Sequence, residues 1–200
     1  MKKIIIFIKN FFIYVISYMW YIAIYLVIVP YLVLLIGKNL DVLVFGYLLD
    51  ISSVIFYTNW SIIISIVFAS FGGGLVLWSF YTLYFYSDCF PFSFFPLPGF
   101  NPKKLSTYGP YSIVRHPMTL GYLFILVAFG FYNGSLMTVL WIIPILSVVF
   151  YEYIQNREER RLSLWFGKDY EKYKEKTPML FPKIININKF QKDKKVFKNK

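Results

Sequence analysis

Several stretches of this chain stay apolar for long enough to cross a lipid bilayer, and that leaves few folds open. Inside hydrocarbon every backbone N–H and C=O needs a partner within the protein, so spanning segments are helices or closed barrels. Residues 11–36, 60–86, 118–132 and 136–154 read as helical spans, and 42–57 as a shorter, marginal one. About 20 apolar residues cover ~30 Å of hydrocarbon, so the first span has length to spare for tilt. Charged residues make up 16% of the chain, against about 25% in a soluble domain. The expected fold is all-α: a polytopic transmembrane protein of about five spans, with a C-terminal helical hairpin and an interfacial helix.

The connections between these runs carry the organisation. Lys2 and Lys3 before an apolar run resemble a signal peptide, but no small-residue cleavage site follows, so the run reads as a retained span. Gly37, Lys38, Asn39 and Asp41 suggest a short turn. Asp50, in the marginal segment, is either a functional carboxylate within the membrane or a group near an interface, and the second reading is preferred. Gly72, Gly73 and Gly74 suit close helix packing. Residues 87–111 hold five prolines and cannot form one helix. Their phenylalanines suit a loop at headgroup depth, with Asp88 and Cys89 as interfacial anchors. Asn133, Gly134 and Ser135 make a tight turn, so the two helices beside it form an antiparallel hairpin. After Arg157, Leu162, Leu164, Trp165, Phe166, Tyr170 and Tyr173 mark an amphipathic helix broken at Gly167. The units are N-terminal helices (1–86), a core (87–182) and a basic tail (183–200).

Charge and composition exclude some classes. Of the net charge of +11, +8 lies in the last 45 residues. A basic tail beside apolar spans is drawn to anionic headgroups and to the cytoplasmic side. Nucleic-acid binding is not expected, since no module for it accompanies the tail. A single cysteine, Cys89, allows no intrachain disulfide. With His116 as the one histidine, no metal site is expected.

The hairpin has a chemical consequence. Its two ends emerge on one side of the membrane. One end is Arg115-His116-Pro117, and the other holds Arg157, Glu158, Glu159, Arg160 and Arg161. Ionisable groups about 40 residues apart are thus brought to one face. Such residues also mark where spans meet water, so the cluster alone does not establish a site.

The wider pattern narrows this. Residues 105–111, Leu-Ser-Thr-Tyr-Gly-Pro-Tyr, precede Val114-Arg115-His116-Pro117 and Gly121. The hairpin follows, then Glu158-Glu159, Leu162, Phe166-Gly167, Tyr170, Tyr173, Pro178 and Pro182. This order resembles the membrane methyltransferases of the isoprenylcysteine carboxyl methyltransferase and phospholipid methyltransferase superfamily. Thr119 stands where that family carries a tyrosine. The resemblance implies S-adenosylmethionine as cofactor, with Leu105, Tyr111, Arg115, His116, Pro117, Glu158 and Glu159 around it. It implies catalytic roles for Arg115, Glu158 and Glu159. Arg115 and His116 suit the cofactor's carboxylate, and Glu158 or Glu159 its ammonium or ribose hydroxyls. Tyr111 and the backbone at Leu105 suit the adenine. The acceptor is expected to be lipid-like, reached from the bilayer: an isoprenylcysteine carboxylate, or alternatively a phospholipid amine. A non-enzymatic membrane scaffold or accessory subunit is the remaining reading. The positive-inside rule puts the active face and the basic tail in the cytoplasm.

Overall fold

The computed structural model describes residues 16, 19, 20, 23–46, 59–87 and 104–181. These are helical throughout apart from short connections. Helix α1 (Val29–Phe45) is led by a π-turn, Ile24–Ile28. Then come α2 (Asn59–Ser87) and α3 (Pro117–Tyr132). Helix α4 (Ile143–Tyr153) lies between π-turns Thr138–Ile142 and Ile154–Glu158. Helices α5 (Glu159–Phe166) and α6 (Lys168–Lys176) complete the order. By length and apolarity Ile24–Phe45, Trp60–Tyr86 and Thr138–Phe166 can each cross a membrane, and Pro117–Tyr132 is a shorter apolar helix. The chain is an all-α polytopic membrane protein.

The centre of the bundle is the antiparallel pair α2 and α3. Small residues let their backbones approach. Gly72 and Gly121 face each other so closely that a Cβ on Gly121 would lie 2.7 Å from the Gly72 carbonyl oxygen. Ser65 donates to the Ala128 carbonyl at 2.9 Å, and Phe68 stacks on Phe131. Lipid offers no hydrophobic drive between helices, so close packing and cross-helix hydrogen bonds must hold them. Gly73 and Gly74 meet nothing within 4 Å, so the packing role belongs to Gly72 alone of the three.

The hairpin of α3 and α4 turns as expected. The N–H groups of Gly134 and Ser135 close back on the carbonyls of Phe131 and Gly130, with Gly134 at φ 65°. One apolar cluster (Val33, Leu123, Leu126 and Ile143) ties α1 to the hairpin. A second (Val114, Leu120, Ile154, Met179 and Leu180) fills the hairpin's open end.

The expected turn at Gly37–Asp41 is absent: α1 runs straight through it. Asn39 donates to the Leu35 carbonyl of its own helix, and Asp41 is satisfied from another segment. Asp41 accepts from the Ser135 hydroxyl at 2.6 Å and from the Met137 N–H at 2.8 Å. It therefore caps the start of the hairpin's second arm from another helix. Gly37 lies flush against Thr138, where a Cβ would overlap the Thr138 hydroxyl.

Asp41, near the end of α1, touches the hairpin turn, and the start of α2 reaches Ala128 and Phe131 beside that turn. Both lie at the same end of the bundle. Residues 42–45 of the expected second segment belong to α1, and 47–58 lie outside the described residues. The start of α1 shares an end with the hairpin's mouth. Lys2, Lys3, Lys9, Asp50, Asp88, Cys89, the phenylalanines of 90–100, Lys103, Pro182 and the tail 183–200 lie outside the described residues.

Candidate active site

Three segments converge at the mouth of the hairpin. The first enters through Gly109, at φ 58°, where a Cβ would meet the Thr82 hydroxyl at 2.9 Å. Glycine is needed there for both reasons. A 3-10 turn, Gly109–Ser112, follows with Pro110 and Tyr111 buried. Pro117 then starts α3 at a position whose missing N–H costs nothing. Arg115 and His116 are left just outside the helix.

The second segment is the end of α4. Its π-turn, Ile154–Glu158, carries one more residue per turn than an α-helix. Such widening narrows the angle between successive side chains, and here Glu158 and Glu159 both face Arg115-His116. Glu159 Oε1 lies 2.8 Å from Arg115 Nη2 and 3.7 Å from His116 Nε2. Glu158 Oε2 lies 3.2 Å from His116 Nδ1. The imidazole thus sits between two carboxylates.

The third segment was not foreseen as part of the site. Lys174, on α6, reaches Glu159 Oε2 at 3.2 Å while its own side chain stays 41% exposed. Tyr173 donates to the Tyr111 carbonyl at 2.5 Å. Beyond α6 the chain runs back past the site, and the N–H groups of Arg115 and His116 donate to the carbonyls of Pro178 and Met179 at 2.9 and 3.1 Å. The signal in the sequence is the spacing of Tyr170, Tyr173 and Lys174, which share one face of a helix.

Burial sharpens the electrostatics. Glu159 is 2% exposed. A buried carboxylate is costly unless paired, and Arg115, His116 and Lys174 all surround this one. Burial alone would lower the His116 pKa, but the neighbouring Glu158 and Glu159 carboxylates outweigh it and raise it above the ordinary value. Burial also raises the pKa of Tyr170 and Tyr173, which keeps both hydroxyls protonated.

The cluster is not self-sufficient. Arg115 Nε and Nη1, His116 Nε2 and Glu159 Oε1 are buried without a hydrogen bond among the described residues. The Arg115–Glu159 pair is close in charge, yet the N–H groups are not aimed at that oxygen. Nε and Nη1 lie on different edges of the guanidinium, and each offers an N–H to an anion. Glu159 Oε1 is paired in charge with Arg115 but accepts no hydrogen bond, which suits a further cationic donor.

Residues 60–169 match the family model described as phospholipid methyltransferase. The chain belongs to that family. The match runs from α2 through the hairpin to the start of α6, so it contains Arg115-His116 and Glu158-Glu159. Membership in the phospholipid methyltransferase family makes the chain a membrane methyltransferase of lipid-like substrates. No curated protein and no solved structure matches it significantly.

Of the residues expected around the cofactor, Arg115, His116, Glu158 and Glu159 meet directly, and Pro117 is buried beside them. Tyr111 joins through its backbone. Leu105 is half-buried in the segment before the 3-10 turn, and Thr119 is half-buried on the first turn of α3.

Proposed function

We propose that this protein transfers a methyl group from S-adenosylmethionine to the carboxylate of an isoprenylcysteine-type acceptor, at the cytoplasmic face of the membrane. The observation that carries the reading is the buried cluster Arg115, His116, Glu158 and Glu159 with its unused donors and acceptor. The cofactor ends in an α-amino acid, a carboxylate beside an ammonium. Arg115 Nε and Nη1 suit the carboxylate, and Glu159 Oε1 suits the ammonium. The bound cofactor supplies an activated methyl on a sulfonium. The protein's part is to orient it and to keep water out. Val114, Leu120, Ile154 and Leu180 give the mouth its apolar backing.

The choice of acceptor rests on protons. A carboxylate oxygen can take a methyl group without losing a proton, whereas an ammonium must first be deprotonated. Here both glutamates are already paired, Glu159 with Arg115 and Lys174 and Glu158 with His116. The second reading, an ethanolamine headgroup of a phospholipid, is favoured by the family's description, with Glu158 as base. The cytoplasmic placement is supported by Arg157, Arg160, Arg161, Lys168, Lys172 and Lys176 on the segments at the mouth's end.

Calorimetry on the purified protein in detergent tests the cofactor. Binding is expected, and His116→Ala and Glu159→Ala are each expected to weaken it at least about tenfold, or roughly 1.4 kcal/mol. A well-folded wild type that does not bind would sink the reading. Labelled cofactor offered with a prenylcysteine analogue and with phosphatidylethanolamine separates the acceptors by which one becomes labelled. If neither does, both are wrong.

A further inference from the structure

Tyr170 is completely buried, yet its hydroxyl has no hydrogen-bond partner among the described residues. A hydroxyl buried in this way costs free energy, and phenylalanine would fill the same space without that cost. Its neighbours on the same face of α6 are both engaged: Tyr173 with the Tyr111 carbonyl, Lys174 with Glu159. These contacts pin the helix over the mouth, with the Tyr170 ring 6.1 Å from that of Tyr173. Tyr173 and Lys174, one turn on from Tyr170 and on the same face, reach the Tyr111 carbonyl and Glu159, which places Tyr170 beside the ionic cluster. Arg115 Nε and Nη1 are unused donors of the same cluster.

We propose that Tyr170 is a further ligand-binding residue, whose hydroxyl donates with Arg115 to the carboxylate of the cofactor's amino acid end. This rests on the cofactor reading above. It adds a donor from α6, a helix that reaches the site only through the fold. The Arg115 N–H groups and the phenol are separate donors, which suits the several lone pairs of a carboxylate.

The test compares two ligands by calorimetry on the full chain: S-adenosylmethionine and its decarboxylated analogue, which keeps the amine and sulfonium. Wild type is expected to bind the analogue more weakly. Tyr170→Phe is expected to bind S-adenosylmethionine at least tenfold more weakly, and to bind the analogue within about twofold of wild type. Its ligand-free thermal midpoint is expected to be unchanged or higher, since an unpartnered hydroxyl has been removed. The proposal is overturned if Tyr170→Phe binds S-adenosylmethionine as wild type does, or loses affinity for both ligands equally. Wild type failing to bind either ligand overturns the cofactor reading as well, which keeps the two failures apart.

Discussion

A single methyl group placed on Gly121 tests how the bundle is held. The Cβ of Gly121→Ala would lie 2.7 Å from the Gly72 carbonyl oxygen, 2.8 Å from Val76 Cγ2 and 3.2 Å from Val76 N. Two of these atoms are backbone, so α2 and α3 must separate. Overpacking of this kind costs typically about 1–3 kcal/mol. For a chain of this size 1 kcal/mol moves the midpoint by about 2–4 °C, so a fall of roughly 2–12 °C is expected. Gly73→Ala is the control. Nothing lies within 4 Å of its Cβ, and alanine favours a helix over glycine by about 0.5–1 kcal/mol. That variant should hold or gain stability. The assay is thermal unfolding in one detergent, followed by tryptophan fluorescence. Equal midpoints for the two variants would refute the claim that backbone contact at Gly72–Gly121 holds the pair together. Gly121 is one turn from Pro117, so the same variant should also weaken cofactor binding by displacing His116 from Glu158.

Two further outcomes follow from the ionisable groups. The pKa of His116 is raised in the folded protein, so its stabilising charge is fully present below the ordinary value of 6.5 and is lost as pH rises through the higher native value. Unfolding midpoints measured across that window should fall for wild type and stay flatter for His116→Gln; parallel curves would contradict the assignment. Asp41→Ala removes the acceptor for Ser135 and for the Met137 N–H, which should cost about 1–3 kcal/mol in denaturant unfolding. Cofactor affinity should be unaffected, because Asp41 lies at the hairpin's other end; a large loss of affinity would show the two ends to be coupled.

What the sequence revealed and what it hid have one physical explanation. Asn133-Gly134-Ser135 could be read because a tight turn is specified locally, by a glycine at positive φ. The hairpin then implied that Arg115-His116 and Glu158-Glu159 meet, and they do. Gly37 to Asp41 misled for the converse reason. Glycine and three polar residues in water make a turn, but here Thr138 of a distant segment packs on Gly37, and Ser135 and Met137 satisfy Asp41. Nothing within five residues of Asp41 records that partner. Lys174 escaped notice in the same way: among the many lysines of a basic segment, only the fold selects the one that reaches Glu159.

Helix α3 has a dimension whose effect extends beyond the protein. Its 16 residues rise about 24 Å, several ångströms short of a hydrocarbon layer of ~30 Å. Its Leu120, Leu123 and Leu126 are buried against neighbouring helices, and Arg115 and Glu159 at its mouth are buried in protein, so the site can lie below the headgroup plane without meeting lipid. A polar site set at that depth is within reach of a molecule dissolved in the bilayer, which need not leave the lipid to meet it.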